Sequence, residues 1–245
     1  MYIYFRNKIQ SETKFNALAI LHRKNTLVFK NNIITILSID GGGMRGLIPL
    51  QALKYIEQRT KTPIAKSFNL LIGSSTGAVI ASGLAIPGGN NKPKYTVSDI
   101  QNLYMKNAKR IFYEGDLWYQ LSSLKGLTLP TFYPEKYYHA LQKYTGNITY
   151  NQLLVPVIIP SYNAITEKII NFCNWKKCSK YKYTFRLWQL LAGATAITPL
   201  FPSITFFDQQ KKIAILSDPS LITNNPALTA LSYISKLHSK PKYIV

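Results

Sequence analysis

Acidic residues are scarce in this chain. Its 245 residues include 10 Asp and Glu against 30 Lys and Arg, a formal net charge of +20. That balance admits an anionic partner: nucleic acid, a membrane surface or an acidic ligand. Lys, Asn, Ile and Tyr are abundant together, as genome-wide base composition can produce, so charge alone is no evidence of function. Two Cys exclude a disulfide framework and a four-thiolate zinc site, and Cys173 and Cys178 are expected as reduced thiols. The three His (His22, His139, His238) are scattered, with no pair at helical spacing, so no metal or other cofactor is expected. No apolar core with a small-residue cleavage site follows MYIYFRNKIQ, so no secretory leader is expected. The uncharged run from Ser67 to Asn90 is broken by five Gly, several hydroxyls and Pro87, which argues against a membrane span. The expected location is the cytoplasm, or export without a leader.

What is present is apolar substance. Hydrophobic residues make up 47% and charged residues 16%, enough for a buried core and too little charge for a disordered chain. Residues 1–32 are mixed and basic and read as an N-terminal extension. Residues 33–245 read as one domain. IITILSI (33–39) and FNLLI (68–72) are β-branched or apolar runs, expected as buried strands. VPVIIPSYN (155–163) and KIINF (168–172) read as paired strands, KIAILS (212–217) as another, and PKYIV as the start of a last one. Helical spacing marks LIPLQALKYIEQRT, AVIASGLAI, the segment after Ser98 or Asp99, the segment opened by Pro134 and closed by Gly146, TFRLWQLLAGATAI and ALTALSYISKL. Strands alternating with helices predict an α/β fold, its sheet covered on both faces.

Three segments carry chemistry. Gly73-Ser74-Ser75-Thr76-Gly77 is G-x-S-x-G between a strand and a helix. Glycine on both sides permits a strained turn that lifts the Ser75 hydroxyl above the strand end, beside the helix's positive dipole end. Asp40-Gly41-Gly42-Gly43-Met44-Arg45-Gly46 also joins a strand to a helix, and such a turn points successive N–H groups at an anion. A dinucleotide site would want a carboxylate about 20 residues on, where KTPIAKS has none. A phosphate loop would want Lys after Gly46, where Leu47 stands. A loop that stabilises a tetrahedral intermediate fits better. Asp218 is a carboxylate at the C-terminal end of a strand, where α/β folds gather their sites, although a capping role fits that position equally well.

Together these segments resemble the patatin-like phospholipase family. ILSIDGGGMRGLIPLQAL is similar to its strand, oxyanion loop and helix; FNLLIGSSTGAVIASGLA to its nucleophile elbow; AGATAITPLFP to its Ala-Thr-Ser-Ala-Ala-Pro segment; and SDPSLITNNPALTAL to its Asp-Gly-Gly to Asn-Asn-Pro segment. The resemblance implies a three-layer α/β/α fold with a mostly parallel central sheet, and lipid acyl ester hydrolysis by a Ser–Asp dyad without cofactor or metal. It implies Ser75 as nucleophile in an elbow of Gly73, Ser74, Thr76 and Gly77, and Asp218 as base. Gly41, Gly42, Gly43 and Gly46 would supply the oxyanion loop, with Arg45 supporting it. The implied partner is a phospholipid or membrane surface, anionic given the charge, and no nucleic acid. Two departures stand out: Pro219 and Ser220 replace the family's glycines after the Asp, and the chain stops at PKYIV, where members usually continue. Pro219 fixes its own φ near −65° and biases Asp218 toward an extended backbone.

Two other readings compete. His238 follows Asp218 in the order of a Ser-His-Asp esterase. WKKCSKYKY (175–183) interleaves Lys with aromatics, as a non-catalytic basic binding domain for lipid or single-stranded nucleic acid would.

Overall fold

The β-branched run Ile33–Ile39 forms β1, as its composition predicts. A computed structural model of the chain describes residues 33–112, 130–132, 134–175, 185–207, 213–235 and 242–244. The extension 1–32, most of WKKCSKYKY and His238 lie outside the described residues. After β1, a short 3-10 turn (Gly43–Gly46) leads into α1 (Leu47–Thr60), with Pro49 in its first turn, and then α2 (Ile64–Ser67). Next come β2 (Leu70–Gly73), α3 (Thr76–Leu84), α4 (Val97–Phe112) and α5 (Pro134–Thr145). Gly146, at φ +67°, ends α5 as expected. The chain continues through β3 (Val157–Asn163), β4 (Lys168–Cys173), α6 (Leu187–Ala194), β5 (Ile204–Phe207), β6 (Ile213–Ser217), α7 (Pro226–Ile234) and β7 (Lys242–Ile244).

Two helix starts refine the sequence reading. Thr96, not Ser98 or Asp99, precedes α4: Asp99 Oδ2 accepts from Thr96 N, and Thr96 Oγ1 accepts from Asp99 N, a reciprocal cap. Glu57, the first acid after the glycine loop, is structural, accepting from Ile64 N (3.3 Å) and Val97 N (2.9 Å) at the starts of α2 and α4.

The sheet joins β7, β1, β2 and β3 in parallel, while β4 and β6 run against β3 and β5 against β6. Successive residues of a strand face opposite sides, and both sides here are apolar. Leu37, Ile39, Leu71, Val157 and Ile159 pack in one cluster with residues of α1, α3, α4, α5 and α6. Ile34, Ile36, Leu70, Ile72 and Ile158 pack on the other side against Ala230 and Ile234 of α7. The result is the three-layer α/β/α arrangement that the sequence predicts. No helix among the described residues is long and apolar enough to cross a membrane. Cys173, buried in the α7-side cluster, is disulfide-bonded, which corrects the expectation of a reduced thiol there; Cys178 lies outside the described residues.

Register brings two strand ends together. Ile158 of β3 pairs with Cys173 of β4 and Ile72 of β2, while Tyr162 pairs with Ile169 of β4 and Ser217 of β6. A strand has only two hydrogen-bonding edges, so β4 fills one, and β2 and β6 share the other from opposite ends. Continued along their own directions, β2 leads into Ser74-Ser75 and β6 into Asp218, both toward Pro160-Ser161. Ser161 Oγ donates to the Ser217 carbonyl at 3.0 Å, tying the end of β6 to this point.

Candidate active site

The turn after β2 is tight because two glycines allow it. A Cβ on Gly73 would lie 2.1 Å from the Gly77 carbonyl oxygen, and one on Gly77 would lie 2.1 Å from the Ile39 carbonyl oxygen. Between them Ser75 adopts φ 51° and ψ −125°, a sparsely populated conformation for a residue with a side chain. Hydrogen bonds hold it there: Ser74 N donates to the Ile39 carbonyl (3.0 Å), and Gly77 N to the Ser74 carbonyl (2.8 Å). Ser74 turns inward and is buried; Ser75 is 9% exposed and lines a cavity rather than projecting from the surface. Ser75 stands at the N-terminus of α3, and Thr76 N has no acceptor among the described residues.

The glycine loop packs against this turn. A Cβ on Gly41 would meet Ser75 Cβ at 2.8 Å, so only glycine fits there. Gly41 N donates to Asn224 Oδ1 (3.0 Å), and Asn224 Nδ2 donates to the Gly41 carbonyl (3.3 Å). Gly42 N donates to Thr76 Oγ1 (3.3 Å), and Tyr104 Oη donates to the Gly43 carbonyl. These bonds use the N–H groups of Gly41 and Gly42. The N–H groups of Gly43 and Met44 have no acceptor among the described residues, and open space lies where a Gly43 side chain would be. Arg45 N closes the turn on the Gly42 carbonyl at 3.0 Å, while its exposed side chain lines the cavity mouth; Gly46 is buried against Tyr104.

Asp218 is fully buried at the end of β6. Its backbone is extended (φ −60°, ψ 125°), the conformation that Pro219 imposes. Its N–H donates to the Ala196 carbonyl (3.1 Å), in the segment after α6. Oδ1 accepts from Ser220 N (2.9 Å), so Asp218 does cap the turn Pro219–Leu221. Oδ2 is buried with no hydrogen-bond partner among the described residues. A buried carboxylate oxygen left unpaired is costly and marks a group poised for another interaction. No hydrogen bond joins Ser75 to Asp218 here; catalytic hydrogen bonds commonly tighten only when substrate binds.

The cavity in front of Ser75 is about 380 Å³. Its depth is apolar, with Val79, Leu103, Leu141, Ile197, Leu200 and Phe201 among its walls. Tyr137 Oη and Thr195 Oγ1 lie 2.6 Å apart in it. Burial pushes the Tyr137 hydroxyl well above its ordinary range; the Thr195 hydrogen bond opposes this, and Tyr104, Asp218 and Tyr138 add to it. Tyr137 is therefore a neutral donor within electrostatic reach of Asp218. Burial also raises Tyr104, with Thr76 opposing. Sequence reasoning passed over Asn224, Tyr104, Tyr137 and Thr195. Asn224 and Thr195 left a signal, as parts of the SDPSLITNNPALTAL and AGATAITPLFP segments; Tyr104 and Tyr137 left none. Among the described residues no cluster of His, Cys, Asp and Glu could hold a metal ion.

The family model for Patatin-like phospholipase matches residues 37–231. Patatin-like protein 4 of Arabidopsis thaliana is 27% identical over 224 residues, 85% of this chain and 56% of its own length. Patatin-like protein 2 of Oryza sativa subsp. indica is 28% identical over 221 residues, 84% of this chain and 54% of its own. The chain spans about half the length of these relatives. Among solved structures, VipD from Legionella pneumophila aligns at TM-score 0.48 and 13% identity, over 79% of this chain and 47% of that one.

Proposed function

The chain belongs to the patatin-like phospholipase family, and from that membership we propose that it is a lipid acyl hydrolase with Ser75 as nucleophile and Asp218 as its base. One observation carries the reading. Strained Ser75 and buried Asp218, with one oxygen unpaired, end two strands that converge on the same edge of β3, beside an apolar cavity. Strain and an unpaired carboxylate are both costly, and a structural role alone gives no return for either.

The reaction is acyl transfer in two halves. Asp218 accepts the Ser75 proton through Oδ2 as Ser75 Oγ attacks the ester carbonyl carbon. The carbonyl oxygen becomes an oxyanion, and the N–H groups of Gly43 and Thr76 are the donors free to receive it, with α3 adding its dipole. Gly41, Gly42, Arg45 and Gly46 shape the loop rather than donate, since Gly41 N and Gly42 N are already engaged. As the tetrahedral intermediate collapses, the ester C–O bond breaks and Asp218 returns its proton to the leaving alcohol. Water then gives up a proton to Asp218 and attacks the acyl-enzyme; the bond from Ser75 Oγ to the acyl carbon breaks, Asp218 returns that proton to Ser75 Oγ, and the fatty acid leaves. The acyl chain lies in the apolar depth of the cavity, and the head group faces solvent past Arg45. No cofactor enters these steps.

Incubation with mixed phospholipids, followed by product identification for wild type and Ser75→Ala, tests the reading. Released fatty acid that disappears in Ser75→Ala supports it. Equal release by the two proteins removes Ser75 from the chemistry.

A further inference from the structure

We propose that the apolar residues fringing the cavity mouth form a docking surface for an anionic lipid bilayer, separate from the groups that bind and cleave the single lipid molecule. The inference rests on the acyl-hydrolase reading of the cavity, and it names the surface from which that cavity would be filled.

The pattern is an alternation between cavity-lining and solvent-facing residues. Gly43 and Arg45 line the cavity, while Met44 between them is 39% exposed. Ser220 and Asn224 line it, and Ile222 between them is 59% exposed. Tyr104 and Asn107 line it, and Met105 between them is 57% exposed. Ile48, in the first turn of α1, is 70% exposed, and Leu228, in the first turn of α7, is 67% exposed. The hydrogen bonds between Gly41 and Asn224 hold the α1 side and the α7 side of this fringe together. Large aliphatic side chains that scatter over a surface need no account, but several at one mouth do.

Charge selects the occupant. Segments 41–56, 100–107 and 219–235, which build the fringe, contain no Asp or Glu. They contribute Arg45 and Lys106, both exposed, and Lys54, partly exposed. Asp40, Glu57, Asp99 and Asp218 stand directly outside these segments, Asp99 exposed and Asp218 buried. Aliphatic side chains on segments whose own charges are all cationic suit a bilayer with acidic head groups, since insertion and charge attraction add.

The test uses the full chain and two substrates. Nitrophenyl butyrate in solution reads the chemistry. Vesicles of phosphatidylcholine with phosphatidylglycerol read docking, by co-sedimentation and by fatty-acid release. The variant is Ile48→Ser with Ile222→Ser and Leu228→Ser. Phe207→Ser is the control, because Phe207 is 70% exposed yet pairs with Ile213 at the end of the β5–β6 ladder far from Asp218. The expected result for the triple variant is a loss of vesicle binding and vesicle hydrolysis of at least roughly tenfold, with butyrate turnover and melting temperature kept. Phe207→Ser should match wild type throughout. Vesicle binding unchanged in the triple variant, or lost equally in Phe207→Ser, overturns the proposal. So does a wild-type dimer that the triple variant splits, which would make this face a contact between copies. If wild type cleaves neither substrate, the catalytic reading fails alone, and co-sedimentation still decides the docking surface. Should the triple variant not fold, Leu228→Ser alone gives the same comparison.

Discussion

Asn224 and Gly41 exchange two hydrogen bonds, side chain to backbone in both directions, across 183 residues of sequence. The contact consumes the Gly41 N–H and fixes the first glycine of the loop against Ser75. It leaves Gly43 as the loop glycine with an amide free to meet an oxyanion.

Asn224→Ala should therefore lower kcat by roughly ten- to a hundredfold, since displacements near 1 Å in reacting geometry have effects of that size. KM for a nitrophenyl ester should stay near wild type. Tyr104→Phe, which removes the hydroxyl that holds the Gly43 carbonyl, should show the same split. Steady-state kinetics decide it; a rise in KM with kcat intact would give both residues to binding instead.

Ser75→Ala should reduce ester hydrolysis by at least about a thousandfold with the fold intact, and Asp218→Asn by nearly as much. Ser74→Ala should be mild, because Ser74 faces the interior and its hydroxyl has no hydrogen-bond partner among the described residues. His139→Ala and His238→Ala should leave turnover at the wild-type level. A large loss in folded His238→Ala would move the case to a Ser-His-Asp triad.

Pro219 and Ser220 set the conformation of Asp218, through the extended backbone at ψ 125° and the Ser220 N–H on Oδ1. Replacing both by Gly gives the carboxylate freedom to turn toward Ser75. Turnover should rise while vesicle binding changes less. Unchanged or lower turnover at the same folded fraction would mean that Asp218 is already well placed.

Much of this was legible in the sequence, and the reason is local. Ile33–Ile39 begins and ends where its β-branched run does, and Gly73 and Gly77 announce the elbow because nothing larger fits there. Asp218 was visible as a strand-end carboxylate, and its capping role follows from that position. What could not be read is what depends on register. The sharing of one β3 edge by β2 and β6, the Asn224 clamp, and the Tyr137–Thr195 contact join segments that carry no pattern in common. Cys173 was misread because only spacing was available to judge a thiol by.

Stability should fall above about pH 10, the ordinary tyrosine range. Tyr144 is 8% exposed, its ring stacks on Tyr95 at 5.2 Å, and burial followed by Tyr95 pushes its hydroxyl far up. Its folded pKa is raised, so the unfolded chain loses the proton first. The stabilisation is complete below the unfolded value and declines as pH rises, by about 1.4 kcal/mol per pH unit for one such group. Urea unfolding from pH 9 to 11 should show this decline, and Tyr144→Phe should make it shallower. Identical slopes would place the loss elsewhere.

The shared edge of β3 also sets an order of events in time. During synthesis the Ser75 turn emerges long before β6, so a growing chain holds the proposed nucleophile for many residues without the proposed base. Contacts between distant segments form late, after the local helices, because long loops must close first. Refolding followed by circular dichroism should thus run ahead of recovered turnover. A chain that stalls on the way would be helical, collapsed and chemically silent.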